Sequence, residues 1–339
     1  MKPVKPILFA FGGLFIIILL IPTLLVTPFM EQSKGKLGEE LTVAKSEVPV
    51  LAESPLDVPV YRSQTKQIES IPLEEYVIGV VASEMPAEFE TEALKAQALA
   101  ARTYITKQLM NGPISTPDGA AVTDTQMHQV YKNPEELKAI WGDKYESKLQ
   151  KITAAVAATQ GKILTYQDQP IDASFFSTSN GYTENSEAYW TEAIPYLKSV
   201  KSSWDKNSPK FYDKKVITIK DFESKLGVKL DTSSGTVGKI TELTPGKRVA
   251  KVEIDGKQFT GRQIREELGL KSSDFTWEIK GDSVVIETKG FGHGVGMSQY
   301  GANFMAEDGK TYEEIIAHYY NGTKVSEAEP FLSKYTAKN

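Results

Sequence analysis

The first hydrophobic signal along the chain is an almost unbroken apolar run from Ile7 to Phe29, 23 residues with no polar face. As a helix rising 1.5 Å per residue it spans roughly 30 Å or a little more, which matches a bilayer core. Lys2 and Lys5 precede the run and Glu31 follows it. The positive-inside rule then keeps residues 1–6 in the cytoplasm, 7–29 in the membrane and the remainder outside the cell. A cleaved signal peptide is the alternative, but its apolar region is shorter and needs a small-residue cleavage site that is not evident here. Residues 30–65 are polar and mixed in charge, with scattered Pro and Gly, and read as a stalk. A folded part is expected over 66–339.

Within it the pattern first alternates, Gln67 to Ile71, as in a short strand, and then turns helical. Leu73, Tyr76, Val77 and Val80 recur at helical spacing, so Leu73 to Ser83 is expected as a buried helix ended by Met85-Pro86. Glu88 to Met110 is alanine-rich, a strong helix former, stopped by Asn111-Gly112-Pro113. Ser115 to Tyr131 is loop-like. Asn133 to Gln160 reads as one or two helices, with Pro134 suited to a first turn. Lys162–Tyr166 and Ile171–Ser177 are expected as a hairpin. From Val216 to Thr288 the chain becomes strand-rich, with a hairpin signal at Ile240–Thr244, Pro245-Gly246 and Val249–Ile254, a short helix over Thr260–Leu268 and a strand over Ser283–Thr288. Tyr312 to Tyr320 predicts a final helix. The sum is an α+β fold: a mixed helical and sheet core with a β-rich insertion or second lobe over 205–289, preceded by one transmembrane helix.

Composition narrows the function. The 339 residues carry 39 basic and 44 acidic side chains, net -5, which lacks the basic footprint of a nucleic-acid binder. Cysteine is absent, so disulfides and thiolate metal sites are excluded. His128, His293 and His318 are the only histidines and lie far apart in sequence.

Four segments carry candidate chemistry. In Ala82-Ser83-Glu84-Met85-Pro86 a carboxyl group sits between an apolar helix and a helix-breaking proline. Burial raises a glutamate pKa, and a carboxyl that stays protonated near neutrality can act as a general acid. Spacing alone favours the plainer role, a carboxylate capping the next helix. Lys95 and Arg102, seven apart on the alanine-rich helix, share an angular position, either as groove-facing cations or as solvated charges. Gly290, Gly292, Gly294 and Gly296 alternate through a segment holding His293, which is equally well read as a site group or as a structural histidine. The segment is neither G-x-G-x-x-G nor a phosphate-binding loop, and Ser298 lies in no G-x-S-x-G elbow. Ser177-Thr178-Ser179-Asn180-Gly181 offers hydroxyls and an amide that suit sugar groups.

Taken together, Ile71–Val77, Ala82–Pro86, Glu92–Tyr104, Phe176–Gly181, Ile194–Leu197 and Gly292–Ala302 resemble the stage II sporulation protein D family over about residues 66 to 325. The resemblance implies a lytic transglycosylase that cuts peptidoglycan glycan strands already stripped of stem peptides, during engulfment of the forespore. It implies partners too: an amidase and a multi-span membrane protein, P and M of the same system. It assigns the catalytic role to Glu84. Lys95, Arg102 and Tyr196 fall on family positions associated with activity, and Ser177, Ser179, His293, Ser298 and Gln299 are carried over as substrate-binding candidates. Some relatives hold zinc through Cys and His in the region matching Thr123 to Tyr131; here His128 alone remains, and neither metal nor cofactor is expected. One carboxyl group suffices for such a reaction, because the sugar's own 6-hydroxyl closes on C1 to give a 1,6-anhydro product. A hydrolase would normally need a carboxylate pair, with Glu88 the nearest candidate. The alternative function is a non-catalytic glycan-binding module that stimulates an amidase.

Overall fold

Alternating residues in Asp57–Arg62 (β1) bury Val58 and Val60, and the strand pairs antiparallel with Gln67–Pro72 (β2), Asp57 opposite Pro72. The computed structural model describes residues 51–112, 115–117, 119–233 and 235–336. The expected N-terminus, the anchor over 7–29 and the first part of the stalk lie outside these residues. Among the described residues, no helix is long and apolar enough to cross a membrane. β1 begins nine residues before Lys66, so ordered structure reaches into the expected stalk.

The pattern then behaves as read. Leu73–Glu84 (α1) is a helix, and Met85 in extended conformation ends it ahead of Pro86. Thr91–Asn111 (α2) runs through the middle of the main core, with Ala93, Leu94, Ala96, Ala98, Leu99, Ala100 and Ala101 all inaccessible to solvent. Its lack of a polar face is what a helix covered on nearly all sides requires. Val122–Thr123 (β3) returns parallel to the other edge of β1. Pro134–Trp141 (α3) starts from a capping box at Asn133 and Glu136, and Tyr145–Ala158 (α4) packs its Ile152, Ala155 and Val156 into the core.

Lys162–Tyr166 (β4) turns at Gln167-Asp168, both with positive φ, and pairs with only Gln169–Pro170 (β5). The primed turn explains the tight hairpin. The longer return strand expected over Ile171–Ser177 does not form. Asp172 donates its backbone N–H to the Tyr196 hydroxyl at 2.9 Å, which leads the chain out of the sheet, and only Phe175–Phe176 (β6) is strand.

A second hydrophobic core, built on Phe222, Val252, Ile264, Leu268, Phe275, Val284 and Ile286, lies between two three-stranded sheets. Tyr212–Thr218 (β7) is an edge of one; after the helix Ile219–Leu226 (α5), Lys239–Leu243 (β8), Val249–Ile254 (β9) and Lys257–Thr260 (β10) form the other. The helix Gly261–Leu268 (α6) is fixed by a capping box at Thr260 and Gln263, and Phe275–Lys280 (β11) and Ser283–Lys289 (β12) complete the first sheet.

The chain then rejoins the main core. Met297–Ser298 (β13) pairs parallel with β6, followed by the helices Gln299–Glu307 (α7) and Tyr312–Tyr319 (α8). Two elements beyond the expected last helix, Lys324–Glu327 (β14) and Glu329–Thr336 (α9), close the fold, β14 pairing antiparallel with β4. The protein is therefore a mixed α/β structure of helices and several small sheets.

Candidate active site

Glu84 is the last residue of α1, where the helix stops because Pro86 disfavours helical backbone before it. The stop aims the carboxyl group away from the helix axis and into a cleft of about 460 Å³. Oε1 accepts the backbone N–H of Val130 at 2.9 Å, and the Glu84 carbonyl accepts Nε2–H of Gln299 at 3.1 Å. The group is half-buried. Burial pushes its pKa above the usual glutamate value, and the Val130 N–H only partly opposes this by favouring the anion. Glu84 does not cap α2, whose N-terminus at Glu90 has no side-chain cap.

The opposite wall is made by two chain segments lying side by side. Thr178 and Phe291 exchange backbone hydrogen bonds of 3.0 and 2.7 Å, and Met297 N–H donates to the Ser174 carbonyl at 3.0 Å. The fit depends on glycine, as Gly292 and Gly296 show. Gly292 has φ 118° and a Cβ there would sit 2.8 Å from Phe176 Cβ; Gly296 has φ 80° and a Cβ would sit 2.0 Å from the Ser174 carbonyl oxygen. The glycine-rich run is thus a backbone-packing device that presents Phe291, Gly292 and His293 to the cleft.

The candidate residues separate on inspection. Ser177, His293 and Gln299 line the cleft with Glu84. His293 is half-buried against Phe176, Tyr189 and Trp190, with ring centroids 5.3–5.6 Å apart, and its Nδ1 accepts the Val295 N–H at 3.1 Å. Burial, helped by the nearby Arg265 charge, lowers its pKa to about 4, so the ring is neutral near pH 7 and offers polarity rather than charge.

Ser179 and Ser298 do not reach the cleft. Both are buried, donating to Asp205 at 2.7 and 2.6 Å alongside Ser202 at 2.6 Å. Ser298 also accepts the Gly301 N–H, capping α7 and so setting Gln299 in place. Asp205 is inaccessible to solvent, and burial raises its pKa despite the three hydroxyl donors.

Arg102 is not placed to touch a substrate. It is fully buried on α2 and grips Glu74 through Nε and Nη2 at 2.9 and 2.6 Å, while Nη1 donates to the carbonyls of Thr159 and Lys162 at 2.9 and 3.2 Å. Lys95 lies outside the cleft as well, paired with Glu92 at 2.6 Å beside the Tyr312 ring. Tyr196 lines a separate depression of about 320 Å³ with Tyr166 and Lys107; its hydroxyl donates to Asp172 Oδ2 at 3.3 Å, and burial raises its pKa to about 12.

Glu84 is the sole carboxyl group among the described residues that line the cleft. Glu88 is exposed and bonded to Lys148 at 2.7 Å, which lowers its pKa and keeps it ionised. Zinc does not fit the Thr123–Tyr131 region: His128 is its one histidine, the chain has no cysteine, and no group of three potential ligands occurs among the described residues. The loop residues Gln126, Gln129 and Val130, together with Tyr104, His128 and Lys210, also line the cleft. Loop length was the available signal for the first three, since Ser115 to Tyr131 is long for a connection without structure of its own.

These features define a mixed α/β protein whose cleft presents one desolvated carboxyl group. Residues 61–166 match the family model described as Stage II sporulation protein. The chain is 61% identical over 330 residues, 95% of its length and 96% of the relative's, to stage II sporulation protein D of Bacillus subtilis (strain 168). It is 57% identical to the protein of the same name from Bacillus amyloliquefaciens, covering 98% of this chain and 99% of that one. The chain belongs to the stage II sporulation protein D family. It is also 33% identical to the amidase enhancer of Bacillus subtilis (strain 168), over 73% of this chain and 40% of that one.

Proposed function

We propose that this protein is a lytic transglycosylase that cuts peptide-free peptidoglycan glycan strands to 1,6-anhydro-muramoyl ends during engulfment. The observation that carries the reading is the cleft's single carboxyl group, lifted by burial toward the protonated form. Protonated Glu84 gives its proton to the glycosidic oxygen as the bond to C1 breaks. The resulting carboxylate then takes the proton of the 6-hydroxyl on the same sugar, whose oxygen forms the new bond to C1. Proton and bond counts balance, no water is consumed, and Glu84 ends protonated again. The Val130 N–H supports the transient anion, and Gln299 holds the backbone at Glu84. An intramolecular nucleophile supplies the proximity that a second carboxylate would otherwise arrange.

In this account the apolar run over 7–29 anchors the protein with the cleft on the extracytoplasmic side. An amidase supplies the stripped strands, and a multi-span membrane protein is the further partner.

One observation favours a second reading, a non-catalytic glycan-binding module that stimulates an amidase: the likeness to a protein named amidase enhancer. The Glu84→Gln protein separates them. The catalytic account expects cutting of stripped strands to stop while binding to sedimented glycan persists. Undiminished cutting by this variant would remove Glu84 from the mechanism, and no cutting by the unaltered protein would leave the binding module.

A further inference from the structure

Phe291 is the aromatic surface that the glycine-rich segment presents to the cleft. Two exposed lysines converge on its ring. Lys210, itself part of the cleft lining, places Nζ 5.5 Å from the Phe291 centroid and 5.5 Å from that of Tyr300. Lys271 places Nζ 4.8 Å from the Phe291 centroid, and its carbonyl accepts the N–H of Gly292 at 3.0 Å, tying it to the cleft wall. On the same body Lys95, Lys107 and Lys148 each hold a carboxylate within 2.6–2.7 Å. Among the described residues, neither Lys210 nor Lys271 has such a partner. Two like charges therefore approach one ring that lines the cleft, one of them from the lining itself, in a chain whose net charge is -5. An anion bound beside that ring relieves their repulsion, and the ring offers a flat apolar surface.

The geometry points to Lys210, Lys271 and Phe291 as a subsite for the free lactyl carboxylate of a muramoyl residue. This rests on the glycan reading above. The lactyl group carries that carboxylate only after the stem peptide has been hydrolysed from it; before that, the same carbon is an uncharged amide with a bulky substituent. The lysine pair thus reads the product of the preceding amide hydrolysis, and the preference for stripped strands follows from charge as well as from size. The ring accommodates the sugar face or the lactyl methyl beside the charge.

The test is equilibrium binding by the full-length Glu84→Gln protein, so that it does not depend on catalysis. Three soluble muramoyl oligosaccharides of equal length are compared: lactyl groups free, converted to the methylamide, and bearing intact stem peptides. The free-acid form is expected to bind about five- to tenfold more tightly than the methylamide, an advantage that shrinks with added salt. Adding Lys210→Gln and Lys271→Gln should erase the difference by weakening the free acid alone, with the thermal transition unchanged. Equal binding of acid and amide, persistence of the preference in the lysine variant, or absence of binding would each overturn the assignment. Tight, lysine-dependent binding of the peptide-bearing strand would also overturn it, because the lysines would then be reading peptide carboxylates. Discrimination in binding alongside an unaltered protein that cuts no strand would defeat the transglycosylase reading and leave the subsite standing.

Discussion

Replacing Arg102 with methionine tests whether this residue, on a position the family associates with activity, acts on substrate or on the fold. The structure gives it a wholly internal environment: both partners of the Arg102–Glu74 pair are buried, their closest atoms 2.6 Å apart. Methionine fills most of the volume but strands the Glu74 carboxylate and takes the Arg102 donor from the Lys162 carbonyl, while the Thr159 carbonyl keeps the Lys162 N–H at 3.1 Å. Breaking one side of a buried pair costs about 3–5 kcal/mol. At roughly 2–4 °C per kcal/mol for large domains, the melting temperature should fall by about 6–20 °C. Thermal unfolding measures this directly, and glycan cutting well below the transition, expressed per folded molecule, should remain near that of the unaltered protein. Adding Glu74→Leu should recover the part due to the stranded charge and not the part due to the Lys162 carbonyl. An Arg102→Met protein that melts normally but no longer cuts would refute the reasoning and return the residue to the substrate.

Glu84→Gln should raise the melting temperature at neutral pH, because an ionised carboxyl held where burial raises its pKa destabilises the folded state. The sign follows from linkage: the penalty is absent below the ordinary glutamate value of 4.5 and grows as pH rises through the elevated folded-state pKa, so the two proteins should converge in acid. A constant difference across pH would count against a desolvated carboxyl. Gly296→Ala combines a left-handed backbone with a Cβ 2.0 Å from the Ser174 oxygen, and should lower stability by about 3 kcal/mol or more in denaturant unfolding; a loss under 1 kcal/mol would contradict the packing described. Asp205→Leu removes the acceptor shared by three buried serine hydroxyls, of which Ser202 keeps the Tyr319 hydroxyl at 2.7 Å; a loss of about 3 kcal/mol is expected by the same measurement, against little change if the remaining partners suffice.

Periodicity made the helices legible, since α1, α2 and α6 fall within a few residues of the expected ranges and each has a local reason to begin or stop. The return strand after β4 was not legible. Its apolar residues look like strand, but the hydrogen bond from Asp172 to Tyr196, 24 positions away, diverts the chain. The site was half visible. Glu84 and the glycine run stand out because each breaks a pattern. The residues that set their chemistry, Val130 and Asp205, are ordinary in sequence and act through long-range bonds. Arg102 and Ser298 show the converse: both fall within the family's motif segments, yet the structure buries them outside the cleft lining, Arg102 on Glu74 and Ser298 on Asp205. A motif marks which residues matter without saying whether they meet the ligand or hold the residue that does.

The central claim is that one glutamic acid drives ring closure within the substrate rather than attack by water. Digestion of peptide-free glycan in ¹⁸O-labelled water, followed by mass spectrometry of the new ends, separates the two. The account predicts 1,6-anhydro ends carrying no label. Reducing ends that have taken up ¹⁸O would contradict it.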